Sequence, residues 1–359
     1  MALVLTFSMK KQFSGLNIEL GNASSKVAFD YAKSTFKNRG GLRGAIGQQT
    51  DGSFSNIIHF GKERIGIASD GVGTKIELAE RTGDFTTIGF DLVAMVADDL
   101  ATAGFEPADI SNVIDVNFID KTVIADMMKG FAEACTIAKM AITGGEIAEL
   151  GARVGGYGQG MHVNWSATAI GFLPGNRQLI TGSNIQTGDI VIALKSRGFR
   201  SNGFSLLRKI MTENFGDEWH HQPYDEKTTW GQQLLTPSLI YSPLINRLLE
   251  DEIPITGIAH ITGGGIKDNF RRVLKSTGKG AILDNLFEPL EVMQRIIKLG
   301  KVAKEDAYLY WNMGNGMLLT APQAQVTEIL CTADSLGYLA QAAGKINDSG
   351  EVALSLTDK

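Results

Sequence analysis

Apolar and polar residues alternate with two periods along this chain, and the switches between them mark out its elements. Spacing of three and four, the mark of a helix with one buried face, predicts helices over Ser24–Lys37, where Val27, Tyr31 and Ala32 form the stripe, and over Thr87–Ala103, where Leu92, Val96, Leu100 and Ala103 do so. The same pattern predicts helices over Thr122–Ala138, Phe204–Glu213, Leu234–Leu249 and Ile266–Leu274, and over 288–300 and 322–336. Short apolar runs between turn residues predict strands at Ile57–Phe60, Ile65–Ala68, Ile110–Val116, Ala141–Thr143, Val163–Phe172, Asp189–Leu194 and Thr256–Ile261, and at 317–320, 338–346 and 351–356. Strands interleaved with helices give an α/β (α+β) chain, and Pro174-Gly175-Asn176 is its best boundary, separating domains at 1–173 and 174–359.

Composition narrows the class. The chain has 359 residues, 43% hydrophobic and 20% charged, which is enough for a large core and unlike a disordered or fibrous chain. Net charge is -5, so no global positive field recruits nucleic acid, and anionic substrates would need local clusters of basic residues. No apolar run is long enough to span a membrane, and Met1–Lys11 has the wrong charge order for a secretory signal. Two cysteines, Cys135 and Cys331, make neither a disulfide framework nor a four-ligand zinc site, and a cytoplasmic protein is expected. The 42 glycines fall in clusters at 40–47, 71–73, 144–160 and 263–265, separated by well-patterned segments, which points to close backbone contact with ligands. Residues 151–160 hold five of them with few apolar anchors and read as a mobile loop.

The stretch from Ile65 to Pro107 carries the chemistry most clearly. An apolar run enters Asp70-Gly71-Val72-Gly73-Thr74-Lys75 and then a helical segment, so backbone N–H groups at a tight turn and a helix start can face an anion. Lys75 can pair with phosphate oxygens there, and Asp70 can hold a bridging divalent metal; the same Asp-Gly serves equally as a hairpin turn. Asp91, Asp98 and Asp99 cluster on the helix that follows, and carboxylates on an otherwise apolar helix call for a metal, a basic partner or a solvated face.

Three further clusters are candidates. Gly40, Gly41 and Arg43 in Arg39-Gly40-Gly41-Leu42-Arg43-Gly44 can wrap a phosphate chain or form a plain surface loop. Gly144-Gly145-Glu146 brings a carboxylate to a strand end, suited to a metal or to a turn. Arg200-Ser201-Asn202-Gly203 at a helix start, with Arg197 close by, makes an anion pocket or a capped surface helix, and Gly263-Gly264-Gly265 between strand and helix suits a phosphate or a tight crossover. His260, by itself, reads as a hydrogen-bonded core histidine.

In this order the motifs resemble the aminoimidazole ribonucleotide synthetase family, the phosphoribosylformylglycinamidine cyclo-ligases of purine synthesis. The pieces are Gly40-Gly41-Leu42, Asp70 to Lys75, Ile88 to Met95 with Asp99-Leu100 and Glu106-Pro107, Gly144-Gly145-Glu146 with Ala148-Glu149, Ser201 to Leu206, and His260 to Gly265. The resemblance implies an N-terminal sheet backed by helices that pairs across a homodimer into a barrel, followed by a C-terminal α/β domain. It implies ATP-dependent ring closure of a ribonucleotide monophosphate with Mg2+, without nucleic acid or membrane partners. Residue by residue it implies Asp70, Asp99 and Glu146 as metal ligands, with Asp98 a weaker candidate, and Asp70, Lys75 and Asp99 at the chemistry. ATP phosphates would meet Gly40, Gly41, Arg43, Gly71, Gly73, Thr74 and Lys75, and substrate would meet Arg200, Ser201, Asn202, Gly203, Gly263, Gly264 and Gly265.

The chain departs from the family at several places: Arg200 where many relatives have His, Asp98 where they often have Asn, Ile147, Leu150 and Gly151 after Gly-Gly-Glu, and Met313 to Met317. Selenophosphate synthetases, thiamine-monophosphate kinases and a non-catalytic nucleotide-binding regulator are the alternatives. No Cys precedes Cys135, which speaks against the first; Gly-Gly-Glu with Ser-Asn-Gly speaks against the second; retention of Asp70, Asp99 and Glu146 speaks against the third.

Overall fold

The structure, a computed structural model, describes residues 18–43, 45–46, 56–175 and 177–355; the Met1–Lys11 segment, Gly44, Asn176 and Leu356 lie outside these. In chain order the first half runs α1 (Ile18–Ser34), β1 (Ala45–Ile46), β2 (Asn56–Phe60), β3 (Glu63–Gly71), α2 (Ile76–Thr82), α3 (Ile88–Thr102), β4 (Glu106–Val116), α4 (Lys121–Ala138), β5 (Ala141–Glu149) and β6 (Val163–Phe172). Its sheet has the order β1-β2-β3-β6-β4-β5, antiparallel except for the parallel β4–β5 pair.

The second half holds β7 (Ile190–Lys195), α5 (Phe204–Phe215), α6 (Trp230–Leu234), α7 (Ser242–Glu250), β8 (Gly257–His260), α8 (Gly265–Leu274), β9 (Gly280–Leu283), α9 (Glu291–Gly300), α10 (Lys304–Tyr310), β10 (Asn315–Ala321), α11 (Val326–Ser335), β11 (Ala340–Asn347) and β12 (Val352–Leu354). These strands form a second sheet in the order β12-β9-β11-β7-β10-β8. The expected α/β class, with strands and helices mixed in two sheets, is borne out. No helix among the described residues is long and apolar enough to cross a membrane.

Register decides which residues of the first sheet share a face. Ala68, Ala169 and Ile110 pair across β3, β6 and β4, and all three are buried; one step along, Asp70, Ala167 and Asn112 pair in the same way, so Asp70 points to the same covered face. Helix α3 lies on that face, packed on β3, β6 and α4, and also touches α7 and β8 of the second half. It is therefore the spine between the halves, and its leucines and valines, Leu92, Val93, Val96 and Leu100, are fully buried.

Two expectations are corrected here. The single helix expected over Leu234–Leu249 is two helices, α6 and α7, with 235–241 irregular between them. Pro237 falls in the gap and Pro243 in the first turn of α7; proline lacks the N–H a helix interior needs and fits a first turn. The strand expected to stop at Thr143 continues through Gly144-Gly145-Glu146 to Glu149, because β5 pairs in parallel with Ser111–Val116 of β4. Helix α10, which the sequence pattern did not suggest, packs against α8.

Candidate functional site

Three carboxylates on α3 set the site, and their surroundings differ. Asp91 and Lys75 are both fully buried, and the Lys75 ammonium donates to Asp91 Oδ1 at 2.8 Å, to Asp91 Oδ2 at 2.8 Å and to the Thr236 carbonyl at 2.7 Å. All three ammonium protons are thus used inside the protein. Ser238 Oγ donates to the same Asp91 Oδ1 at 2.5 Å. This geometry does not bring Lys75 to a phosphate: the lysine ties the turn after β3 to α3 and to the proline-broken segment of the second half.

Asp98, seven residues on, is also fully buried and accepts from the Tyr241 and Ser242 amides at 2.7 and 2.9 Å and from Arg200 Nη2 at 2.8 Å. Arg200 is only 1% exposed, and its Nη1 donates to the Leu239 carbonyl at 2.8 Å. It holds a left-handed backbone, φ 59°, which is uncommon for a side chain of this size. Arg200 therefore does not face a ligand as expected. A buried carboxylate needs a countercharge, and Arg200 supplies it to Asp98.

Asp99 is hydrogen-bonded to no arginine or lysine among the described residues. Its Oδ1 is 2.7 Å from His260 Nδ1, and Nε2 of that imidazole is 2.8 Å from Arg200 Nη2. A guanidinium can only donate, so Nε2 accepts and Nδ1–H points at Asp99. Burial and the nearby Arg200 hold His260 far below the ordinary imidazole range, at about 3, so the ring is neutral. Burial pushes Asp99 up to about 8 against the pull of Arg200 and Arg272. Asp70 is raised as well, chiefly by burial, offset by its bond from the Gly71 amide at 2.6 Å and pushed further by the charge of Asp99. Two carboxylates, both raised by burial and one raised further by the other, are an oxygen donor set for a hard divalent cation.

Around this pair the turns of both halves meet. A side chain on Gly73 would stand 3.6 Å from the Ser201 carbonyl, and one on Gly263 would stand 3.5 Å from Asn202 Oδ1. Thr74 Oγ1 lies 3.5 Å from Ser205 Oγ. Helices α5 and α8 begin here without side-chain caps, so two helix N-termini present free amides to the same place. Ser201 Oγ and Asn202 Nδ2 are buried and have no hydrogen-bond partner. Leaving such a group unpaired costs about 1–3 kcal/mol, which a polar ligand would offset.

Not every glycine in these turns faces a ligand. Gly203, φ 78°, and Gly265, φ 66°, are backed by Trp311 Cδ1 at 2.4 Å and the Tyr308 carbonyl at 1.9 Å from where a Cβ would stand. They are glycine because α10 and the residue after it press against them. Gly264 has φ 93° and precedes α8.

Two expected contributors lie elsewhere. Glu146 is exposed and pairs with Val113, in the row of Ser166 and Gly71, on the face opposite Asp70 and at the far edge of the sheet. The structure does not bring it to Asp70 and Asp99. Gly40, Gly41 and Arg43 are exposed after a 3-10 turn at Phe36–Arg39, and the Arg43 guanidinium lies 5.7 Å from the Phe60 ring centroid.

Residues 54–173 match the family described as AIR synthase related protein, N-terminal domain, and residues 186–357 match its C-terminal domain. The chain belongs to the AIR synthase related family. It is 37% identical over 78% of its length to a phosphoribosylformylglycinamidine cyclo-ligase of Carboxydothermus hydrogenoformans, covering 79% of that protein. It is 34% identical over 94% of its length to one of Clostridium perfringens, covering 97% of that protein. A solved thiamine-monophosphate kinase of Stenotrophomonas maltophilia shares the fold at a TM-score of 0.61 and 16% identity, with 90% of this chain and 95% of that one covered. The resemblance to the aminoimidazole ribonucleotide synthetases is borne out by these AIR synthase relatives.

Proposed function

We infer that the chain closes the imidazole ring of formylglycinamidine ribonucleotide, using ATP and releasing ADP, phosphate and aminoimidazole ribonucleotide. What supports this is the approach of the 71–74 turn, which follows Asp70, to Ser201 and Ser205 of the second half, beside the unpartnered Ser201 Oγ and Asn202 Nδ2. In the proposed reaction the substrate's amide oxygen takes the γ-phosphoryl group, a ring-forming nitrogen attacks that carbon, and phosphate leaves. This chemistry asks for charge neutralisation and positioning more than for a protein nucleophile. Burial pushes the Cys135 thiol up to about 12, which leaves it unreactive and fits that demand.

Asp70 and Asp99 would hold magnesium, whose chemistry, when bound, is to neutralise the phosphate oxygens of ATP. The 71–74 turn would lay its amides and the Thr74 hydroxyl against the phosphates. Ser201, Asn202 and the free amides of α5 and α8 would take the ribonucleotide, whose phosphate suits helix N-termini. His260, held neutral by Arg200, orients the Asp99 carboxylate through Nδ1–H. Gly40, Gly41 and Arg43 would join the ATP site by closing over it, and the exposed face of the first sheet, with Phe60, Val113 and Phe172 at 49%, 42% and 40% exposure, would pair with a second copy. Sedimentation at the mass of a single 38.7 kDa chain would count against that dimer.

The direct test follows ADP and aminoimidazole ribonucleotide together from purified protein, ATP, magnesium and formylglycinamidine ribonucleotide. Equal, substrate-dependent formation of both supports the reading. ADP without the ring product refutes the substrate assignment, and thiamine monophosphate is then the next substrate to try.

A further inference from the structure

The turn Glu218-Trp219-His220-His221 packs against α2, α5 and α6 and carries two imidazoles and a carboxylate that the proposed reaction does not use. His220 Nε2 is 3.7 Å and His221 Nε2 is 3.6 Å from Glu218 Oε2, and the two rings stand 4.1 Å apart between centroids. One ligand atom from each residue lies within 4.8 Å of the other two. Ligand atoms on a tetrahedral zinc ion stand about 3.3–3.5 Å apart, so small side-chain rotations bring all three into its shell. We propose that Glu218, His220 and His221 form a binding site for a borderline-soft divalent transition metal ion such as Zn2+, with its fourth position open to solvent.

The surroundings prepare this donor set. His220 is 2% exposed, and its Nδ1 has no hydrogen-bond partner, an unusual state for a buried imidazole. It is packed edge-on between Tyr157, at 5.2 Å, and Trp219, at 5.9 Å. Tyr157 donates its hydroxyl to Glu218 Oε1, which leaves Oε2 turned toward the imidazoles, as a group outside the metal shell commonly orients a ligand within it. Arg81, whose guanidinium lies over the Tyr157 ring, is matched by Glu77 at 2.9 Å and Asp217 at 3.3 Å, so its charge is answered before a metal arrives. Two nitrogens and one oxygen select zinc, cobalt, nickel or copper over magnesium, which separates this site from the all-oxygen pair in the cleft.

Position gives the site a consequence. Tyr157 stands in the glycine-rich 151–160 segment of the first half, and Glu218 belongs to the second. The Tyr157 amide also bonds Glu80 Oε2 at 2.8 Å. A metal on Glu218 fixes the carboxylate that Tyr157 holds, and so fastens this segment across the halves.

The test titrates the chelator-treated full chain with Co2+, in excess Mg2+ to occupy hard-oxygen sites, and reads the visible absorption of four-coordinate cobalt. One saturating equivalent is expected, displaced by Zn2+. His221→Ala, at a side chain 69% exposed, removes the signal while the melting curve stays unchanged, and Tyr157→Phe weakens binding by about tenfold. Glu218→Gln gives a second loss independent of the imidazoles. No absorption with the native chain, or equal absorption with His221→Ala, overturns the proposal.

Discussion

Lys75→Met separates a lysine that ties the halves from one that holds phosphate. The lysine is fully buried and gives its three protons to Asp91 and the Thr236 carbonyl. Methionine fills similar space but leaves Asp91 buried without a countercharge, and breaking such a pair costs about 3–5 kcal/mol. The Ser238 hydroxyl, already 2.5 Å from Asp91 Oδ1, remains and places the loss toward the lower end. Unfolding entropy of about 2.1 cal/mol/K per residue, over 359 residues, makes about 0.75 kcal/mol/K, so the melting temperature should fall by about 4–7 °C. Adding Asp91→Leu removes the stranded charge and should recover most of the fall, since apolar replacements of a whole buried pair are often neutral. Scanning calorimetry of the three proteins reads this, and ATP titration of Lys75→Met should give an affinity within about threefold of the native chain. An unchanged melting temperature with ATP binding weakened a hundredfold would refute the reasoning and return Lys75 to the phosphates.

Asp99→Asn should reduce ATP-dependent turnover by about a thousandfold or more, because the proposed metal loses one of its two carboxylates. It should also change the pH dependence of folding in metal-free protein. The native carboxyl titrates at about 8 and the unfolded one near 4, so its contribution to stability is present below about 4 and is lost as pH rises toward 8; Asp99→Asn flattens that decline in melting curves taken across the range. Retained turnover, or an unaltered pH profile, counts against the placement of Asp99. Arg200→Met should lower the melting temperature as Lys75→Met does, with Asp98→Asn in the same chain restoring part of the loss; substrate affinity lost at full stability would contradict the assignment.

Much of the frame was legible in the chain, because it rests on local pattern. The spacing of Leu92, Val96 and Leu100 foretells α3 within a residue at each end, and it places Asp91 and Asp98 on one stripe. The demand that buried carboxylates meet cations was also sound, but the choice of partner was not local. Lys75 and Arg200 read as ligand-facing because each follows a glycine-rich turn or stands at a helix start. Their partners lie 16 and 102 residues away, and the Thr236 carbonyl lies 161 away from Lys75. The apolar spacing over 234–249 reads as one helix although Pro237 and Pro243 interrupt it, and the irregular residues 235–241 supply Thr236, Ser238, Leu239 and Tyr241 to these buried groups. Gly144-Gly145 reads as a turn by residue type, yet pairing with β4 keeps it extended and sends Glu146 to the other face. His260 was read as a core histidine, which it is, but its place between Arg200 and Asp99 needs the second half docked on α3.

Two of the departures from the family pattern, Asp98 and Arg200, meet in one buried ion pair. A charged residue at either position alone would stand in a fully enclosed place without an opposite charge, and the penalty for that is larger than most single substitutions cause. Together they form a 2.8 Å ion pair whose outer arms hold the Leu239 carbonyl, the Tyr241 and Ser242 amides and His260. The pair faces inward, toward α3 and the start of α7, while the unpartnered Ser201 Oγ and Asn202 Nδ2 follow directly in sequence. In this chain the pair is therefore a strut behind the proposed site, and Ser201 and Asn202 are the side chains proposed to meet a ribonucleotide. These two departures therefore act on the contact between the halves, where an ionic pair carries the load.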